Sequence, residues 1–173
     1  LTKEQVLARY EQARDEVSAA AVWAEQRPVL SSAAAIVAPL APRSPDAVQL
    51  EAARAIPADA RLRSFEGKLP EAEGPLTLAL AINRTLADLL VKYPELLVFG
   101  EDVGRKGGVY GVTRGLIKKA GPGRVFDTLL DEQSILGLGL GAGIAGLLPI
   151  PEIQYLAYVH NAEDQLRGEA ASL

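Results

Sequence analysis

Residues 128–154 read TLLDEQSILGLGLGAGIAGLLPIPEIQ, and the order of residue types within them decides the fold. A short apolar run closes at Leu130, two acids follow at Asp131 and Glu132, and an apolar, glycine-rich stretch leads into LPIPEIQ. Acids favour the partly positive start of a helix, so Asp131 or Glu132 is expected to open a helix that runs through Leu147. With RVFDTLL before it and LPIPEIQ after it reading as strands, the stretch is a strand–helix–strand unit.

The same alternation continues outward. LTLALAINRTLADLLVKY suits a helix stopped by Pro94, because proline disfavours helical geometry in the residue before it. ELLVFG then reads as a strand, GRKGGVYG as a glycine-rich loop and VTRGLIKKAG as a short helix stopped by Gly121, while HNAEDQLRGEAASL suits a final helix. Strands alternating with helices indicate an α/β fold, a parallel sheet flanked by helices. Upstream, Thr2 to Gln26 reads as a helix: Thr2 and Gln5 form a capping-box pair, and Val6, Tyr10, Ala13, Val17, Ala20 and Ala24 make a stripe that needs a partner surface. From Arg27 to Pro75 the period is lost and prolines collect (Pro28, Pro39, Pro42, Pro45, Pro57, Pro70, Pro75), the mark of a connector with short helical turns. The expected organisation is an N-terminal helix and connector over residues 1–75 and an α/β domain over residues 76–173.

Composition removes several function classes. A net charge of -4, with 18 Lys and Arg scattered along 173 residues, gives no basic footprint for nucleic acid. There is no cysteine, which excludes disulfides, thiolate metal sites and a cysteine nucleophile, and the single histidine, His160, excludes a multi-histidine metal site. No run is long and apolar enough for a membrane span, and LTKEQVLARYEQ is no secretory signal; both fit a cytoplasmic protein. A chain without methionine that begins at Leu1 and stops at GEAASL is expected to be a piece of a longer one.

The glycines admit two readings. Gly141 to Gly146, GAGIAG, has the spacing of a dinucleotide fingerprint, with an acid downstream at Glu163. That motif must form the first turn between strand and helix, so that a pyrophosphate can sit at the helix start. Here the turn is DEQS, whose carboxylates repel a pyrophosphate. The favoured reading is close packing: Gly137 with Gly141, and Gly139 with Gly143, stack four apart on adjacent helix faces. Each interior glycine costs about 1 kcal/mol against alanine, so such a helix is expected to be deeply buried, at a subunit interface.

VFGEDVG, GGVYGVTRGL, GPGRVFDTLLDEQSILGLGLGAGIAGLLPIPEIQ and DQL together resemble the beta-subunit part of the thiamine diphosphate-dependent decarboxylating component of 2-oxoacid dehydrogenase complexes. The resemblance covers Leu76 to Leu173, the front of the pyrimidine-binding domain of the thiamine diphosphate-binding fold. Residues 1–75 resemble the tail of an alpha-type subunit joined by a connector, as in fused enzymes of the family. The resemblance assigns Glu132 to the acid that bonds the aminopyrimidine ring of thiamine diphosphate and holds a proton on its ring nitrogen. The exocyclic nitrogen of the ring can then take the proton of the thiazolium carbon. Such an acid needs its pKa pushed toward neutrality, which apolar surroundings favour.

The resemblance further implies that Leu130 touches the pyrimidine, Tyr158 packs against it, Gln154 lies near the cofactor, and Glu101 lines a polar route between paired active sites. On residue type alone Leu130 is a core leucine, Tyr158 a surface-anchored tyrosine and Glu101 a solvated strand end, and Asp131 remains a cap. Relatives usually carry proline at the position of Leu129 and a bulkier pattern over LAYVHNAE, so His160 receives no role. The family's GDG and asparagine motif for diphosphate and magnesium does not occur here, so magnesium is expected on a domain absent from this chain, and the segment alone is expected to be inactive. The implied enzyme is a homodimer or higher oligomer that decarboxylates a 2-oxo acid and passes the acyl unit to the lipoyl domain of an acyltransferase. The rivals are a transketolase moving two-carbon units between sugar phosphates and a non-catalytic assembly module.

Overall fold

The computed structural model describes residues 1–38 and 44–172. Pro39 and Pro42 of the expected connector, and Leu173 at the end of the expected last helix, lie outside the described residues. The chain divides into two compact units, Leu1–Pro42 and Arg43–Leu173.

In the first unit, α1 spans Lys3–Glu25. Its capping box forms as expected: Thr2 Oγ1 accepts from Gln5 N at 3.3 Å and Gln5 Oε1 accepts from Thr2 N at 2.9 Å, which satisfies two otherwise unpaired helix-end donors. No residue of α1 is buried. After Arg27 the chain makes α2, Ala33–Val37, capped by the Ser32 hydroxyl.

The second unit begins with α3, Pro45–Ala53, and α4, Ala58–Ser64, two short helices within the proline-rich stretch. Then follow α5 (Leu78–Lys92), β1 (Leu96–Gly100), α6 (Leu116–Ala120), β2 (Val125–Asp127), α7 (Glu132–Ile144) and β3 (Leu148–Glu152). The three strands are parallel in the order β2-β1-β3.

Strand alternation sorts the side chains between two faces. Leu96, Val98, Val125 and Ile150 meet Leu86, Ala87 and Leu90 of α5, Leu116 of α6 and Phe65 just after α4. Phe65 thus brings part of the proline-rich stretch into this core, and Arg61 of α4 fixes it there. Its guanidinium grips Asp88 of α5 in a two-point pair, Nε to Oδ1 at 2.6 Å and a terminal nitrogen to Oδ2 at 2.9 Å. On the other face lie Phe99, stacked on Phe126 at 5.1 Å, and the prolines Pro149 and Pro151, which α7 covers.

In the single chain the glycine helix is buried along one face. Gly139 is buried, and a Cβ there would stand 3.0 Å from Pro151 Cγ; one at Gly143 would stand 3.9 Å from Pro149 Cγ. At Gly137 and Gly141 a Cβ would meet nothing within 4 Å. One face packs on β3, and the other is open in the single chain. The helix also ends at Ile144, earlier than Leu147, because Gly146 adopts φ 86° and closes it: Gly146 N donates to Gly143 O and Leu147 N to Ala142 O, both at 3.0 Å. The fifth glycine is a stop signal, and only four lie inside the helix.

Two further boundaries differ. β2 keeps only Val125–Asp127 of RVFDTLL, since Thr128 turns to donate to Gly100 O at 3.0 Å. The expected final helix from His160 is a tight 3₁₀ segment, Leu156–Ala162, followed by a wide π-helical one, Asp164–Ala170. Both pack on α7 with Ala162 fully buried, so tertiary packing overrides the chain's own helical period. No helix among the described residues is long and apolar enough to cross a membrane.

Candidate functional site

The connection after β1 runs through α6 on one face of the sheet, and the connection after β2 runs through α7 on the other. Adjacent parallel strands whose connections leave to opposite faces open a crevice at their carboxyl ends, the usual ligand position in such sheets. The segments after β1, β2 and β3 meet there, and they carry Glu101, Leu130, Glu132 and Gln154.

The β1 loop is held by its own polar chemistry. Asp102, at φ 60°, occupies left-handed geometry that aspartate tolerates better than most residues. Its carboxylate accepts from Lys106 Nζ at 2.8 Å and from Gln154 Nε2 at 3.4 Å, which links the β1 and β3 segments. Asp127, the last residue of β2, accepts from Gly104 N at 2.6 Å and Arg105 N at 3.2 Å, so β2 clamps the same loop. At Gly100 only a glycine fits, since a Cβ would stand 2.5 Å from Glu152 O. Glu101, next to it, is partly buried.

Asp131 is the cap and Glu132 the first helical residue of α7. The Asp131 carboxylate accepts from Ser134 N at 3.3 Å and from the Ser134 hydroxyl. Glu132 is half-buried, and its Oε2 accepts from Asn161 Nδ2 at 3.2 Å. Among the described residues Oε1 has no protein donor. Leu130 is 77% exposed, which corrects the simple core-leucine reading, and Tyr158 is 41% exposed. Tyr158 meets Tyr155 edge to face at 5.4 Å, and Tyr155 meets Tyr110 at 6.2 Å, forming an aromatic row. In a 3₁₀ segment positions three apart eclipse, so Tyr158 and Asn161 share a side. Exposed His160 pairs with Glu163 at 3.3 Å.

Glu152 closes β3. Burial pushes its carboxyl up from its ordinary value, and it packs beside Gly108 of the glycine-rich loop. A raised carboxyl pKa in the folded state means that folding opposes ionisation there. The protonated form costs nothing extra, and stability falls as pH rises from about the unfolded value of 4.5 through the raised one. Glu152→Gln is therefore expected to raise the melting temperature at neutral pH and leave it unchanged near pH 4, as thermal melts at the two pH values would show.

The donor set fits one end of a thiamine diphosphate. A carboxyl oxygen without a protein donor, an exposed leucine and an exposed aromatic row suit the edge and faces of an aminopyrimidine ring. Glu101, Asp102, Asp127, Asp131, Glu132 and Glu152 make the same crevice unsuitable for a diphosphate. The glycine fingerprint forms no anion loop either, because Gly141 and Gly143 lie inside α7 and Gly146 ends it.

A family model, the transketolase pyrimidine-binding domain, matches residues 75–173. The chain belongs to this family. It is 47% identical over 96 residues to the pyruvate dehydrogenase E1 component subunit beta of Staphylococcus epidermidis, a match that covers 56% of this chain and 30% of the relative. It is 44% identical over 98 residues to the 2-oxoisovalerate dehydrogenase subunit beta of Pseudomonas aeruginosa, covering 57% and 28% respectively. Against the 3-methyl-2-oxobutanoate dehydrogenase subunit beta of Mycobacterium tuberculosis the identity is 45% over 96 residues, covering 56% and 28%. The chain thus spans under a third of the length of these relatives. The three-stranded parallel sheet flanked by helices agrees with a pyrimidine-binding domain.

Asn161, Asp102, Asp127 and Glu152 were not among the site residues expected from the sequence. Glu152 stood inside the quoted PEIQ, and Asp127 was an acid at a strand end, a usual site of loop clamps. Asn161 had one available signal, its place three residues after Tyr158.

Proposed function

We propose that the chain is a segment of a thiamine diphosphate-dependent 2-oxoacid dehydrogenase, and that it supplies the pyrimidine half of the cofactor site. One observation carries this reading: Glu132 opens α7 at the crevice with one carboxyl oxygen held by Asn161 and the other, among the described residues, without a protein donor. The E1 beta subunits among its relatives support the assignment.

When bound, thiamine diphosphate supplies the electron sink for decarboxylation. With the cofactor bound, Glu132 would bond the aminopyrimidine through its open carboxyl oxygen and exchange a proton with it there. Tyr158 and Leu130 cover the ring and exclude water, which strengthens that hydrogen bond. Gln154, anchored on Asp102, fixes the edge of the site, and Glu101 continues the polar route away from it. The diphosphate and its magnesium are held by a second domain, which suits the acidic crevice found here. The intact enzyme acts as a homodimer or higher oligomer and hands its acyl group to the lipoyl domain of an acyltransferase. By itself the segment is inactive.

The complete polypeptide, given thiamine diphosphate and magnesium, is expected to turn over branched-chain 2-oxo acids or pyruvate with a lipoyl acceptor, and to leave sugar phosphates untouched. Ketol transfer between sugar phosphates without lipoyl would move the assignment to transketolase. No turnover of either, with tight self-association, would leave an assembly module.

A further inference from the structure

We infer that Asn161 is a positioning residue for Glu132, setting the carboxyl group so that only one of its oxygens is open to a ligand; this rests on the functional reading above. The structure gives the contact directly: Asn161 Nδ2 donates to Glu132 Oε2 at 3.2 Å across a gap of twenty-nine residues. A glutamate at the first position of a helix otherwise has free rotamers and two equivalent oxygens.

Asn161 is well placed to remove that freedom. Its neighbour Ala162 is fully buried, which pins the backbone at this point, and the 3₁₀ segment packs on α7. Tyr158, three residues earlier, lies on the same side of the segment, so one short element delivers both an aromatic wall and the carboxyl's fixed donor. An amide is suited to this task, since Nδ2 donates without adding charge. Asn161 itself touches neither ligand nor reacting atoms in this account. It acts through Glu132. The other side chains at this point are spoken for: the Asp131 carboxylate is used by Ser134, and His160 by Glu163.

The test uses the complete polypeptide with thiamine diphosphate and magnesium, and reads two quantities. One is the cofactor dissociation constant from fluorescence titration; the other is the exchange rate of the thiazolium carbon proton by NMR. Asn161→Ala is expected to weaken binding and slow exchange by about tenfold each, the scale of one hydrogen bond to a charged group. Asn161→Asp, which places a like charge on Glu132, is expected to do more, and Asn161→Gln, which keeps the donor, less. In a Glu132→Ala background the Asn161 substitutions should have no further effect. Asn161→Asp is isosteric and serves if the alanine variant misfolds.

Variants that match the wild type in both readouts would overturn the inference, as would effects undiminished in the Glu132→Ala background. A wild type that binds no thiamine diphosphate overturns the functional reading and this inference together. A wild type that binds it while the Asn161 variants are silent overturns this inference alone.

Discussion

Glu132→Gln in the complete polypeptide is expected to lower kcat by about 10²–10⁴-fold, the range over which a positioned acid–base group contributes. Glutamine keeps the length of the side chain and can still accept from Asn161, so the local packing survives. What it lacks is the capacity to hold and release a proton at the oxygen left open by Asn161. The loss should therefore fall on kcat, with a smaller effect on the apparent affinity for a 2-oxo acid substrate. Thermal melts of the variant should match those of the wild type, because Glu132 is only half-buried and pairs with an exposed amide.

The largest stability effect is expected at Phe99, 0% exposed in the central strand and stacked on Phe126 at 5.1 Å. Phe99→Ala removes a whole ring from the face between β1 and α7, and substitutions of this kind cost about 3–5 kcal/mol. A domain with about 5–15 kcal/mol of total stability would lose a large part of it. Urea titrations should show a midpoint shifted strongly downward with little change in slope. The site would suffer indirectly, because β1 carries Gly100 and the loop that holds Asp102.

Much of the fold was legible because its signals are local. Pro94 after α5, the apolar run of β1 and the acids before α7 each act within a turn of their own position. The packing partners of α7 were less legible. Glycine spacing showed that something approaches closely, but only the strand register places Pro149 and Pro151 beneath Gly143 and Gly139. The Gly146 stop was hidden inside a glycine series in which every member looks alike. The segment after Tyr155 was misjudged because its backbone follows the surface of α7 and not its own propensity.

At the site, the resemblance named Glu132, Leu130, Gln154, Tyr158 and Glu101, and the fold brings their segments to one end of the sheet. Asn161 and Asp127 each carried a weak local signal, a place three residues after Tyr158 and a place at a strand end, but their partners were not legible, since each lies more than twenty residues away. The open face of α7, with Gly137 and Gly141, was anticipated as a packing surface, and the single chain leaves it uncovered.

The role proposed for the Glu132 carboxyl is to serve the pyrimidine end of thiamine diphosphate. It is tested most directly by following exchange of the thiazolium carbon proton on the cofactor bound to the complete polypeptide, wild type against Glu132→Gln. The expected result is fast exchange in the wild type and exchange slowed by at least about a hundredfold in the variant, with the cofactor still bound. Equal exchange rates in the two proteins, with the cofactor bound in both, would contradict it.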